Sequence, residues 1–412
     1  MSLHRIATAI LAVTALTGLS FAGISQVQAE SSSAGSATDF YQLPAQLPSA
    51  NGALIRQEAS AYYLDPFKTT SADADVTRVM YKSTNSLGQP MAVTGTVLVP
   101  RSQWVGAGSR PLISLAAGTQ GQGDQCAPSK QLAMGTEYEG ALLAGLLLRG
   151  YAVAVTDYEG LGTNGTHTYL SRASQGHAVL DAARAALRLG VSGLNSNTRI
   201  GIVGYSQGGG AAASAAELAA SYGSELKVMG TYAGAVPADL QSVASNIDGT
   251  LYSGLLLYAA NGFLAERGID PARYFNQVGL QTLQDASQEC LFSTLASKAF
   301  MDTTTITRSG QTFSQMTQSG ELKTILDEQK IGVNGAPQAP ILIGQSLYDD
   351  VVPEPQARAL AKRWCDAGVT VQYSTTSIPT HIGGYIGLLP ELFSFLEGRV
   401  AGLQPPKNCG SF

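Results

Sequence analysis

Residues 199–210 read RIGIVGYSQGGG and continue into AAASAAELAAS. The β-branched run before the glycines predicts a strand over 199–204, and the alanine run after them predicts a helix over 207–221. Gly204, Ser206 and Gly208 fit G-x-S-x-G. In a chain with 46 glycines that pattern alone is weak. The strand before it and the helix after it give it meaning, because such a turn lifts the serine hydroxyl onto the rim of a sheet. Glycine at 204 and 208 lets the backbone turn sharply and lets helix and strand approach closely. The start of the helix favours negative charge beside Ser206. The competing reading is a strand-to-helix turn whose serine only caps the helix. Partners elsewhere in the chain decide between the two.

Outward from this stretch, strands and helices alternate. Strands are predicted over 76–81 and 91–99, around a Gly-Gln-Pro turn, and over 111–116, 151–156 and 226–232. Helices are predicted over 139–149 and 175–189. The rhythm returns with a strand over 339–344, a helix over 354–368, a strand over 369–373 and a final helix from about 384 to 396. This alternation predicts an α/β fold with a mostly parallel sheet and helices on both faces. From 235 to 336 the pattern is mainly helical with irregular joins. It reads as a large helical cap insertion over the carboxyl edge of the sheet, where open α/β sheets place their sites. The expected organisation is a signal peptide over 1–29 and a flexible N-terminal arm over 30–59. The first part of the core follows over 60–234, the cap over 235–336 and the second part of the core over 337–412.

A serine hydroxyl is a poor nucleophile without a base. The chain has four histidines. His4 lies in the leader. His177 falls inside a predicted helix and reads as a surface or packing residue. His167 sits in the loop TNGTHTYL, and both it and His177 precede the serine. His381, in PTHIGG after the last predicted strand, satisfies the order serine, acid, histidine of α/β-hydrolases. The segment ILIGQSLYDDVVP, residues 341–353, offers Asp349 and Asp350 as the acid that holds the imidazole's tautomer. Asp349 is preferred, with Asp350 left to cap the turn. Charge developing on a carbonyl oxygen needs donors already in place. The main-chain N–H of Gln207 is one candidate. The loop GTQGQGDQC, residues 118–126, supplies the other through Gln120 or Thr119. Asp157 and Glu159 follow a strand near the site, and hydrogen bonding within a turn is preferred for them over a part in the site.

Composition narrows the class. Hydrophobic residues make up 44% of the 412 and charged residues 13%, as suits an exported enzyme with a weakly charged surface. His4 and Arg5 precede a largely apolar run, and Val27-Gln28-Ala29 offers small residues for cleavage. Together they read as a secretory signal cleaved after Ala29. The alternative is a membrane anchor, but the run is short and broken by Thr, Gly and Ser. Removal of the signal takes one basic residue and no acid from a chain whose net charge is already −5. With no basic cluster anywhere, nucleic acid is not expected as a partner. Cys126, Cys290, Cys365 and Cys409 are an even number in an exported chain, which suggests two disulfides among three possible pairings. No Cys/His spacing suits zinc, and neither a metal nor another cofactor is expected.

Several stretches together resemble the secretory lipase family, the lipase A type known from Candida antarctica and from actinobacteria. They are DQCAPS at 124–129, DYEG at 157–160, GYSQGG at 204–209, DDVVP at 349–353 and HIGGYIGLLPELFSF at 381–395. The resemblance spans roughly Tyr81 to Cys409. It implies an α/β-hydrolase fold with a large helical cap and a tunnel for an acyl chain. It implies Ser206 as nucleophile, Asp349 as acid, His381 as base and the Gln120 side chain as the second oxyanion donor. Some members carry an acid there that must be protonated to donate. A glutamine amide donates at any pH, which implies weaker dependence on acid conditions. The resemblance also implies a Cys126–Cys290 bridge from cap to core and a Cys365–Cys409 bridge at the C-terminus.

The leading expectation is a secreted serine carboxylic-ester hydrolase, a lipase acting on acylglycerols or other fatty esters through an acyl-enzyme. The stretch LYSGLLLYAANGFL, residues 251–264, would line an acyl tunnel, meet a lipid–water interface or form ordinary cap core, the last being preferred. One alternative is an exported peptidase of the same fold, against which no acidic cluster for a peptide amine stands out. Another is a catalytically silent binding protein on the same scaffold, against which the intact Ser206, Asp349 and His381 set argues. No obligate protein partner is expected.

Overall fold

The computed structural model describes residues 40–412. The signal peptide expected over 1–29 and the first ten residues of the expected arm lie outside them. In chain order the strands are β1 (Leu54–Ala59), β2 (Ala74–Thr84), β3 (Pro90–Pro100), β4 (Leu112–Ala116), β5 (Ala152–Thr156), β6 (Arg199–Tyr205), β7 (Lys227–Gly234), β8 (Ile341–Ser346) and β9 (Val371–Thr376). They form one sheet in the order β1-β2-β3-β5-β4-β6-β7-β8-β9. β1, β2, β3 and β5 pair antiparallel. From β5 through β4 to β9 every pairing is parallel.

The helices before the turn at Ser206 are α1 (Pro128–Met134), α2 (Gly140–Leu148) and α3 (Arg172–Arg188), and α4 (Gln207–Tyr222) follows it. Between β7 and β8 the chain is helical: α5 (Leu240–Ile247), α6 (Leu255–Arg267), α7 (Gln277–Ala286), α8 (Leu291–Ser297), α9 (Phe313–Met316) and α10 (Gly320–Glu328). The chain closes with α11 (Glu354–Asp366), α12 (His381–Gly387) and α13 (Leu389–Val400). β4, β5 and β8 are buried at every position. Alternate residues of a strand face opposite sides, so helices must cover both faces. α4 reaches the sheet closely because its inner residues are small: Ala211, Ala212, Ala213 and Ala215 are fully buried.

Two sequence expectations need correction. The arm expected to be flexible over 30–59 is packed over its described part. Phe40 and Tyr41 are buried, and β1 pairs with β2 at the edge of the sheet. The single final helix is two, because Pro390 restarts the chain at the first turn of α13, and α12 already begins at His381. Among the described residues no helix is long and apolar enough to cross a membrane.

Candidate active site

β4 and β6 lie side by side, with Ala116 opposite Gly204. The turn after β6 places Ser206 at φ 60° and ψ −123°, a strained backbone for a residue with a Cβ. It is held by Ser206 N–H on the Gly234 carbonyl and Gly210 N–H on the Ser206 carbonyl, both 3.0 Å. Nothing larger than glycine fits around it. A Cβ on Gly204 would lie 2.1 Å from the Gly208 carbonyl oxygen, and one on Gly208 would lie 2.1 Å from that of Ala116. The Ser206 side chain makes no capping hydrogen bond to α4, so a capping role does not explain it.

The turn after β8 and the start of α12 bring an acid and an imidazole together. His381 Nδ1 lies 2.9 Å from both carboxylate oxygens of Asp349. A carboxylate only accepts, so Nδ1 carries a proton, and in the neutral ring Nε2 is the nitrogen with the lone pair. The Asp349 carboxylate is fully enclosed. It also accepts from the N–H groups of Val351 and Val352 and from Gln345 Nε2, at 2.8–3.0 Å. Asp350 has another task. Its Oδ1 accepts the His381 main-chain N–H at 2.8 Å and its Oδ2 accepts Tyr252 OH at 3.0 Å. The preceding Thr380 has φ 70°, so strain sits on the residue that aims His381. Tyr205 donates to the His381 carbonyl at 2.7 Å and its ring lies 5.1 Å from the imidazole. His381 is thus anchored to the residue beside Ser206. Ser206 and His381 themselves share no hydrogen bond.

Gln207 is the first residue of α4, and its N–H is one of the donors a helix start leaves unpaired. Gln120 differs from expectation. Its amide Nε2 donates to Glu137 at 3.1 Å and its Oε1 accepts from Gln131 at 2.7 Å. One amide hydrogen is thus engaged by Glu137, and the second remains free to donate. Among the described residues, the main-chain N–H groups of Thr119 and Gln120 have no partner. An apolar cavity opens beside the serine, with Ser206, Gln207, Tyr169, Leu256, Phe263 and Val351 in its wall. Leu256 and Phe263 come from α6 in the insertion.

A model of the secretory lipase family matches residues 126–408. The chain belongs to the secretory lipase family. A secreted triacylglycerol lipase of Malassezia globosa is 31% identical over 69% of this chain and 63% of its own length. A probable inactive lipase of Mycobacterium tuberculosis is 29% identical over 79% of this chain and 74% of its own. Candida antarctica lipase A in its closed state superposes with a TM-score of 0.78 over 90% of this chain and 87% of that one, at 21% identity. That likeness confirms the α/β-hydrolase fold.

In this family member the cysteines form Cys126–Cys290 and Cys365–Cys409. The first bridge joins the loop after β4 to the start of α8, where Leu291 N–H meets the Gln120 carbonyl and Gln122 N–H meets that of Glu289. Asp157 accepts from Ser129 and Thr94, and Glu159 from Thr168 and Ser174. Asp157 is buried and Glu159 half-buried, and both are scaffold acceptors. Sequence reasoning passed over three groups next to it. His167, buried, accepts from Gln207 Nε2 at 3.0 Å. Tyr169 OH pairs with Thr119 Oγ1 at 2.8 Å. Glu137, Tyr138 and Glu139 all bond the loop after β4. The available signal was GTEYEG itself, two acids placed just before an all-apolar helix in a chain poor in charge.

Proposed function

We propose that the protein hydrolyses carboxylic esters of fatty acids through an acyl-enzyme formed on Ser206. The observation that carries this reading is the Asp349–His381 pair anchored to the neighbour of a strained serine that opens into an apolar cavity. His381 Nε2 takes the hydroxyl proton as Ser206 Oγ bonds to the ester carbonyl carbon. The carbonyl oxygen gains the negative charge, and the N–H of Gln207 with a main-chain N–H of Thr119 or Gln120 receives it. The imidazolium returns the proton to the departing alcohol. Water, deprotonated by His381, then releases the acid and restores Ser206. Asp349 holds the tautomer and offsets the imidazolium charge throughout. The cavity wall suits an acyl chain, since it offers apolar contacts beside the serine.

An ester presented at a lipid–water interface fits the rim. Ile382 and Ile386 are exposed on α12, Tyr348 is exposed beside Asp349, and Phe292 is exposed where it meets Tyr138 edge-on. Export with cleavage after Ala29 completes the reading, and N-terminal sequencing of the secreted protein tests it.

The test of function is turnover of p-nitrophenyl esters from acetate to palmitate by the wild type and by Ser206→Ala. Turnover that vanishes in the variant supports the reading. Turnover that persists removes it. A wild type that does not turn over esters at all would place the chain beside its probable inactive relative as a silent scaffold.

A further inference from the structure

Three consecutive residues grip the loop that leaves β4. Glu139 Oε2 accepts the Gly118 N–H at 2.7 Å, Tyr138 OH donates to the Thr119 carbonyl at 3.0 Å, and Glu137 Oε1 accepts from Gln120 Nε2 at 3.1 Å. The gripping segment is itself folded tight, since Glu139 N–H turns back onto Glu137 Oε1 at 3.1 Å. These bonds fall on particular peptide planes. The plane between Ala117 and Gly118 is held at both ends, by Tyr158 OH on its carbonyl at 2.8 Å and by Glu139 on its N–H. The plane between Thr119 and Gln120 is held at its carbonyl by Tyr138. In a trans peptide the N–H points opposite to the carbonyl, so Tyr138 also sets where the Gln120 N–H points. Tyr169, in the cavity wall beside Ser206, fixes the Thr119 side chain. Among the loop donors left without partners are the N–H groups of Thr119 and Gln120.

We propose that Glu137, Tyr138 and Glu139 are positioning residues that aim the main-chain donors of Thr119 and Gln120 at the ester carbonyl oxygen on Ser206. This rests on Ser206 being the nucleophile. The Gln120 amide is one of the ties of the clasp, through one of its two hydrogens.

The clasp works in its neutral form. Glu139 is buried and Glu137 Oε2 is enclosed without a partner. Burial pushes both carboxyls well above the usual carboxylate range, and Glu137 raises Glu139 further. The groups that face the pair are Tyr62, Asp157, Tyr158 and Tyr385, with no cation among them. A carboxylate formed here would stand behind an oxygen that becomes negative in the transition state, and would oppose it.

The experiment measures kcat and KM for p-nitrophenyl butyrate from pH 5 to 10 on the disulfide-bonded enzyme, well below each variant's Tm. Tyr138→Phe and Glu139→Ala are expected to lower kcat about tenfold, with KM within about twofold, since a whole oxyanion donor is worth about 100- to 1000-fold. Glu139→Gln, which still accepts the Gly118 N–H but cannot ionise, is expected to recover most of the loss seen in Glu139→Ala and to move the alkaline fall in kcat to higher pH. Wild-type kcat in both Tyr138→Phe and Glu139→Ala would overturn the proposal. So would equal loss in the Ala and Gln variants with an unmoved alkaline limb. Failure of the Ser206 reading is separate: it shows as undiminished turnover in Ser206→Ala.

Discussion

Gln207 Nε2 donates to His167 Nε2 at 3.0 Å, so the residue after Ser206 leans on a second imidazole, distinct from that of His381. His167 Nδ1 lies 2.8 Å from the Glu159 carbonyl, which fixes the proton on Nδ1 and leaves Nε2 to accept. Replacement of His167 by Leu would leave two buried polar groups unpaired, each costing about 1–3 kcal/mol. The expected outcome is a stability loss of that order for each group in urea denaturation, with a lower kcat. An unchanged midpoint would show that this bond does not matter.

His167 and His177 should make the fold sensitive to acid. Burial lowers both to about 4. In the unfolded chain they bind protons from about pH 6.5 downward, while the native state resists until about pH 4. The stability they contribute is therefore fully present above pH 6.5 and is lost as pH falls toward 4. His177 stacks on Tyr222 at 3.8 Å. His177→Phe keeps the ring and removes the proton site. Its stability should fall less steeply across that window, by up to about 1.4 kcal/mol per pH unit. Parallel slopes in wild type and variant would contradict this.

The two adjacent acids should separate by orders of magnitude. Asp349→Asn removes the acceptor that sets the His381 tautomer and should lower kcat by about 10⁴. Asp350→Asn keeps an acceptor for the His381 main-chain N–H and should lower kcat less than tenfold. Steady-state kinetics on the two variants decide the assignment, and equal losses would count against it.

The Cys126–Cys290 bridge closes 164 residues of chain. The loop-entropy model gives about 5 kcal/mol for such a closure. The double serine variant should lose stability of that order, and it should lose activity at temperatures where it remains folded, because the bridge anchors the loop that carries Thr119 and Gln120. Thermal unfolding and kcat measured together check both parts.

The turn at Ser206 could be read from residues because glycine, a β-branched run and an alanine run each point to the same strand-turn-helix. Chain order alone singled out His381 and left Asp349 and Asp350 open, and the family resemblance favoured Asp349. β1 escaped because LIRQEA is an edge strand with a polar face, so it lacks an apolar run. The break at Leu388 escaped because the apolar period continues through it. The hydrogen bonds of the Gln120 side chain were not legible for another reason. Its amide is captured by partners 11 and 17 positions along the chain, and side-chain capture at that distance leaves no trace in local pattern. The same holds for His167, whose bond to Gln207 spans 40 positions.

Ester hydrolysis by this route passes through a covalent bond at one atom, Ser206 Oγ. Brief incubation with a p-nitrophenyl ester, acid quench and mass spectrometry of the digested protein tests it most directly. The expected result is one acyl group on the peptide that contains Ser206, absent from Ser206→Ala and strongly reduced in His381→Ala. An acyl group on another residue, or ester turnover with Ser206 never modified, would contradict it.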